Sequence, residues 1–181
     1  MSGPSGSGKS TIIDRVLKTS GLQMRLSVSA TTRPARSGEE DGVHYYFWTP
    51  ERFEREVRDG AFLEWAEVYG QRYGTLKSEV EPFRQRGEGV ILDIDVQGAR
   101  AVHSQIPDAV RVFLRTSAFE NYEQRLRQRA SENEAKIQER LATAPKELAC
   151  AGEYDFQVIN DDLNVAVDNF QAILRQLFER K

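Results

Sequence analysis

Residues 3–11 read GPSGSGKST, with glycines at 3 and 8 followed by Lys9 and Ser10. This spacing, G-x-x-x-x-G-K-S, leaves few folds open. The glycines free the backbone for a tight turn whose N–H groups point inward, and the residues that follow open a helix with a partial positive charge at its N-terminus. A loop of this kind normally hangs from the end of a buried parallel strand, which commits the chain to an α/β architecture. Gly3, Pro4, Ser5, Gly6, Ser7 and Gly8 form the cradle. Lys9 supplies a point charge for β- and γ-phosphates, Ser10 offers a hydroxyl to Mg2+, and Thr11 begins the helix beside an α-phosphate. The plain alternative is a glycine-rich turn that matches by chance. Against it, a helical stripe of Ile12, Ile13, Val16 and Leu17 follows at once and ends near Gly21.

Composition narrows the partner. A chain of 181 residues, 39% hydrophobic and 29% charged, suits one compact domain with a real core. The net charge of -3 argues against general nucleic-acid binding, which needs a basic face, and leaves a small phosphorylated molecule as the natural partner. One cysteine, Cys150, permits no internal disulfide. No apolar run approaches the roughly 18 residues of a membrane span, so the expectation is a cytoplasmic protein without a membrane partner.

Apolar β-rich runs alternate with helical patterns, as in a mainly parallel sheet flanked by helices. A strand is expected at RLSVSA, a functional loop at TTRPARSGEEDG and a strand at VHYYFW. A helix starts at Thr49 and Pro50 and stops at Gly60, and AFLEWAEVY with GQRYGT completes a small β-rich insertion. GVILDID, VRVFLRT and DFQVIN read as core strands, and VAVDNFQAILRQLF as the closing helix. Pro145 should kink or end the helical run that contains it.

Two further groups of residues carry chemistry. Arg33 and Arg36 lie in the polar loop, with Tyr45, Tyr73 and Thr75 downstream. Guanidinium forks and phenolic hydroxyls suit a terminal phosphate dianion, so a monophosphate is the natural ligand. Taken singly, these residues also fit solvated arginines in a turn and packed tyrosines. Glu64 interrupts FLEWAEV beside Trp65. A carboxylate there can accept hydrogen bonds from guanine N1 and its 2-amino group, a donor pair that adenine lacks. The second group is Arg125 and Arg129, one helical turn apart, with Arg140 on the next helix. The plain reading of that segment is a solvated helix with Glu/Arg pairs, to which Arg127 and Glu139 belong. His44, His103 and Cys150 form no triad or metal pattern.

In order, GPSGSGKST, SVSATTRPAR, EWAEVYGQRYGT, ILDIDVQG and VINDD resemble the motifs of the guanylate kinase family over nearly the whole chain. The resemblance implies a P-loop nucleoside-monophosphate-kinase fold in which ATP and GMP give ADP and GDP, with Mg2+ accompanying ATP. It implies a core over residues 1–30, 76–124 and 141–181, a GMP-binding region over 31–75 and a helical lid over 125–140. Ser29, Glu64, Thr75 and Asp95 would contact the guanine, and Arg33, Arg36, Tyr45 and Tyr73 its phosphate. Asp93 would sit near Mg2+ through water or orient the phosphates; either aspartate could instead cap the following helix. Arg125, Arg129 and Arg140 resemble the lid arginines, which grip the transferring group and exclude water. Asn160 and Asp161 resemble the turn near the adenine, or are a simple strand-to-helix turn. Ala130, Ser131, Asn133 and Ala135 depart from the family's lid pattern, from which altered lid motion and a lower rate are expected. Two other functions share features of the pattern: a non-catalytic guanylate-kinase-like protein-binding module, and a kinase of a phosphorylated sugar.

Only Met1 and Ser2 precede the loop. The resemblance implies an apolar strand there, central in the sheet, and a central strand needs about five residues. The expectation is a truncated reading, poorly stable and weakly active as written, that an extension of about six to ten apolar residues would restore. The alternative is a sheet with a gap, its loop held only by the helix.

Overall fold

The computed structural model describes residues 1–128 and 133–179. In chain order its elements are α1 (Lys9–Thr19), β1 (Met24–Leu26), β2 (Ser29–Thr31), β3 (Tyr46–Phe47), α2 (Pro50–Arg58), β4 (Phe62–Val68), β5 (Gln71–Leu76), α3 (Glu81–Gln85), β6 (Gly89–Ile91), α4 (Val96–Gln105), β7 (Val112–Arg115), α5 (Glu120–Gln128), α6 (Glu134–Ala149), β8 (Phe156–Ile159) and α7 (Leu163–Glu179). A 3-10 turn over Lys77–Glu79 leads into α3. The result is the expected mixture of parallel strands and helices. Among the described residues no helix is long and apolar enough to cross a membrane.

The chain divides into two compact units. The first contains residues Met1–Leu22, Asp93–Ala99 and the chain from Asp108 onward. Here β7 and β8 pair in parallel, from Val112 opposite Phe156 to Arg115 opposite Ile159. Ile12, Ile13 and Val16 bury the inner face of α1, and Phe113, Leu114, Val158 and Phe170 are buried in the same unit. Tyr122 and Leu126 of α5 pack with Ile137 and Leu141 of α6.

The first two residues do pair, which rules out the alternative in which the loop is held by its helix alone. Ser2 N–H donates to Val112 O at 2.9 Å, Leu114 N–H donates to Ser2 O at 2.7 Å, and Ile94 N–H donates to Met1 O at 3.2 Å. Ser2 is fully buried. One residue thus occupies a strand position beside β7, and the loop springs from it. Gly3 stands so close to the β7 backbone that an added Cβ would overlap Leu114 O, and its φ of +149° is one that side chains resist. Gly3→Ala should therefore lower stability by about 2–4 kcal/mol. The expected drop in thermal midpoint is roughly 5–15 °C, measurable by scanning calorimetry.

The second unit contains Gln23–Leu92 and Arg100–Pro107. Its sheet runs in the order β3-β2-β5-β4. β2 pairs with β3 in parallel and with β5 antiparallel, β4 pairs antiparallel with β5, and β1 pairs with β6 in parallel. The core is aromatic: Trp48, Phe53 and Phe62 are buried together with Ala30 and Leu76, and the Phe53 and Phe62 rings stack at 4.5 Å. Thr49 starts α2 as expected, its hydroxyl accepting from Arg52 N–H at 3.2 Å with Pro50 at the first helical position.

Several element boundaries differ from the sequence reading. RLSVSA breaks into β1 and β2 because Ser27 N–H turns to Ile91 O and Val28 N–H to the Glu79 carboxylate. VHYYFW keeps only two strand residues, since Asp41 bends the chain by accepting Phe47 N–H at 2.7 Å. In GVILDID the strand stops at Ile91. The loop helix begins at Lys9, two residues before Thr11. α6 does not end at Pro145 but continues to Ala149. Proline removes one N–H from a helix, and neighbouring packing, here through buried Leu141 and Ala144, sustains the turn.

Candidate nucleotide-binding site

In the first unit the loop is held by side chains from three later segments. Lys9 Nζ donates to Gly3 O at 2.6 Å across the loop. Asn160 Nδ2 donates to Ser7 O at 2.7 Å, and Arg125 spans Ser7 O at 3.2 Å and Asn160 O at 2.7 Å. Arg140 Nη1 donates to Ser5 Oγ at 2.7 Å. Gly8 has a φ of +95°, and an added Cβ would overlap Asn160 Nδ2, so a glycine is required where that amide closes over the loop. Asn160 is buried, while Asp161 Oδ1 accepts Ser117 N–H at 2.9 Å and ties the turn after β8 to β7.

Ser10 Oγ lies 3.3 Å from Asp93 Oδ2 and donates to it. A hydroxyl and a carboxylate side by side are hard oxygen donors of the kind magnesium takes. Among the described residues no group of three His, Cys, Asp or Glu is placed to hold a metal. Ser10 and Asp93 therefore fit an ion that takes one or two protein oxygens and completes its shell with phosphate and water. Asp95 caps α4: its Oδ1 accepts Gly98 N–H at 2.8 Å and its Oδ2 accepts Gln97 Nε2 at 3.0 Å.

The second unit gathers the remaining predicted residues. Ser29 of β2 stands opposite Thr75 of β5, and Thr75 stands opposite Glu64 of β4, so the three form one row across the sheet. A bulge between Phe62 and Glu64 makes Leu63 the extra residue, which brings Glu64 to the inner side while Trp65 faces out. Glu64 is 7% exposed and its Oε1 accepts both Thr75 N–H at 3.0 Å and Thr75 Oγ1 at 2.6 Å. The row thus presents a buried carboxylate and two hydroxyls.

Arg33, Tyr45 and Tyr73 come together beside it. The Tyr45 and Tyr73 rings meet edge to face at 6.0 Å, and the Arg33 guanidinium lies 5.4 Å from the Tyr45 ring and 5.6 Å from that of Phe47. Arg36 is exposed on the same loop.

The residue that sequence reading passes over is Glu39. It takes Arg33 in a two-pronged pair, Nη2 to Oε1 at 2.8 Å and Nη1 to Oε2 at 2.9 Å, and accepts Arg36 N–H at 2.6 Å. Burial is the largest single influence on the Arg33 guanidinium and acts to lower it, but the hydrogen bonding and charge of Glu39 and Tyr73 together outweigh it, and the group is held above its usual range. Conversely, the hydrogen bond from Arg33 is the chief cause that holds the Glu39 carboxyl low; burial opposes it and the Arg36 N–H helps. The only sequence hint is an acid three residues beyond Arg36. A carboxyl depressed in the folded state adds stability above its unfolded value of about 4.5, and this is lost as pH falls through the lower folded value. Glu39→Gln should lower the thermal midpoint at pH 7 by about 2–4 °C. The gap from the parent protein should close as the scans move to pH 3.

The lid segment is described in part. Arg127 pairs with Glu123 at 2.9 Å and with Glu134 at 2.6 Å, on the exposed side of α5 and α6. Asn133 caps α6, its side chain accepting Lys136 N–H at 3.0 Å, which gives this departure from the family pattern a local function. Arg129, Ala130 and Ser131 lie outside the described residues.

A family profile described as guanylate kinase matches residues 1–177. The chain belongs to the guanylate kinase family. A guanylate kinase of Rubrobacter xylanophilus is 47% identical over 177 residues, covering 98% of this chain and 92% of the relative. One of Symbiobacterium thermophilum is 49% identical over 175 residues, covering 96% and 82%. The crystal structure of guanylate kinase from Anaplasma phagocytophilum superposes with a TM-score of 0.80 at 31% identity, covering 94% of this chain and 81% of that one. Family membership gives the architecture its class, the P-loop nucleoside-monophosphate-kinase fold.

Proposed function

We propose that this member of the guanylate kinase family transfers the γ-phosphoryl group of ATP to GMP, giving ADP and GDP. The observation that carries this reading is the Ser29–Thr75–Glu64 row, in which a buried carboxylate is oriented by the threonine it grips. The Oε2 oxygen of Glu64 meets guanine N1–H and the 2-amino group, while Ser29 and Thr75 supply hydroxyls to the same base, with Asp95 assigned to it by family position. Arg33, Arg36, Tyr45 and Tyr73 take the GMP phosphate. We assign residues 31–75 to GMP binding and 125–140 to the lid, with 1–30, 76–124 and 141–181 as the core.

ATP falls to the loop of the first unit: Gly3 to Gly8 turn backbone N–H groups to the phosphates, Lys9 and Thr11 add their side chains, and Asn160 closes the adenine side. Mg2+ would be held by Ser10 and by Asp93, directly or through water, and when bound it neutralises charge on the phosphates. The GMP phosphate is largely ionised near neutral pH, so its attacking oxygen needs no general base. Catalysis is then positioning and charge: Arg33 and Arg36 aim the acceptor, while Lys9, Arg125, Arg129 and Arg140 stabilise charge on the group in flight. The complete Lys9–Ser10 loop weighs against a non-catalytic binding module. A nucleotide substrate pair suits a cytoplasmic setting.

Titration calorimetry tests the base assignment. GMP should bind at least about 10²-fold more tightly than AMP, because AMP leaves the Glu64 carboxylate without its donor pair. Equal affinities would refute it.

A further inference from the structure

We infer that Glu79 is a positioning residue for the GMP site, a conclusion that rests on the GMP reading above. Glu79 ends the 3-10 turn after β5 and lies four residues beyond Thr75. Its side chain is 12% exposed and collects three donors from different places in the sequence. Oε1 accepts the Tyr46 hydroxyl at 2.9 Å, and Oε2 accepts Arg25 Nη2 at 2.5 Å and Val28 N–H at 3.3 Å. Arg25 is itself fixed over the Phe83 ring, 3.9 Å from its centre.

Two of those donors adjoin assigned GMP contacts. Val28 precedes Ser29, at the break where β1 gives way to β2 and the ladder offers its N–H no partner strand. An unsatisfied backbone N–H there would pull the chain outward, and Glu79 prevents it. Tyr46 follows Tyr45 and belongs to a strand of two residues, joined to the sheet at Ala30–Tyr46 and Thr31–Phe47. So short a strand has little ladder to resist slipping, and a charge-assisted bond from its side chain is a substantial tether. Successive strand residues point to opposite faces, so pinning the Tyr46 ring also fixes the direction of Tyr45, whose ring meets Tyr73 and the Arg33 guanidinium. One carboxylate therefore sets the base end of the pocket through Val28 and the phosphate end through Tyr46. The Tyr46 hydroxyl, held as a donor to this acceptor, has its ionisation pushed above the usual range.

The test is steady-state kinetics of ADP release with GMP and ATP varied in turn. Tyr46→Phe deletes one arm and should raise KM for GMP about 10-fold, with KM for ATP and kcat within about twofold. Glu79→Ala deletes all three arms and should raise KM for GMP further, and adding Tyr46→Phe to it should change nothing more, since the partner is already gone. A purely structural role would lower thermal stability and disturb ATP and GMP parameters together, and that outcome overturns the proposal. So does an unchanged KM for GMP in Tyr46→Phe, a conservative variant that decides the matter even if Glu79→Ala does not fold. Failure of the parent protein to release ADP in response to GMP would refute the GMP reading itself, independently of either variant.

Discussion

Lys9→Ala is expected to reduce kcat for GMP-dependent ADP production by at least about 10³-fold while leaving GMP affinity within about twofold. Lys9 belongs to the first unit, where its ammonium group donates to Gly3 O across the loop, and the assigned phosphate contacts of GMP lie in the second. The substitution removes the positive charge assigned to the transferring group, where its contribution would be greatest in the transition state. It removes nothing from the row assigned to the base. Calorimetry with GMP, run beside the activity assay, separates the two effects. An equal loss of GMP affinity would show that donor and acceptor do not have separate sites.

Glu64→Gln should cut kcat/KM for GMP by about 10²-fold or more, with no parallel fall for AMP. The variant keeps its shape, and its remaining carbonyl oxygen can still accept from Thr75, so the bulge and the row survive. What changes is the second atom of the group: under the proposed assignment, an amide N–H2 would face the guanine donors in place of a carboxylate oxygen that accepts them. Donor against donor in a site that is 7% exposed has no water to relieve it. An unchanged ratio of GMP to AMP utilisation would remove Glu64 from base recognition.

The parts of this protein legible in its sequence are those encoded locally. The phosphate loop is a string of glycines and a Lys-Ser pair. The start of α2 is a Thr-Pro pair, and the hairpin of β4 and β5 is marked by β-rich runs on either side of Gly70. What escaped depends on groups far apart in the chain. The break between β1 and β2 is made by Glu79, 51 residues beyond Val28. Arg125 grips Ser7 O from 118 residues away, so the arginine expected to reach for the phosphoryl group also braces the loop. The capture of Arg33 by Glu39 was not legible, because an acid in a polar turn looks solvated until the loop folds back on it. Asp95 shows the limit of motif reading from the other side: its carboxylate caps α4, the alternative that spacing alone left open.

Burial adds one feature that motifs do not carry. Glu147 on α6 has a side-chain oxygen buried without a hydrogen-bond partner. Burial is the main cause that pushes its carboxyl up, with Lys9 opposing, Asp95 adding and Arg140 opposing again. A raised carboxyl makes folding less favourable as pH climbs from the unfolded value of 4.5 through the folded one. Glu147→Gln should therefore raise the thermal midpoint at pH 8 and have little effect at pH 4, as calorimetric scans at the two values would show.

The most direct measurement is coupled ADP release with ATP and magnesium, run on this chain with GMP, AMP and ribose 5-phosphate as separate acceptors. GMP should sustain turnover, with AMP at least about 10²-fold poorer in kcat/KM and the sugar phosphate inactive. Comparable rates with AMP or the sugar phosphate, or no ADP release with GMP, would contradict the reading of the Ser29–Thr75–Glu64 row as a guanine site.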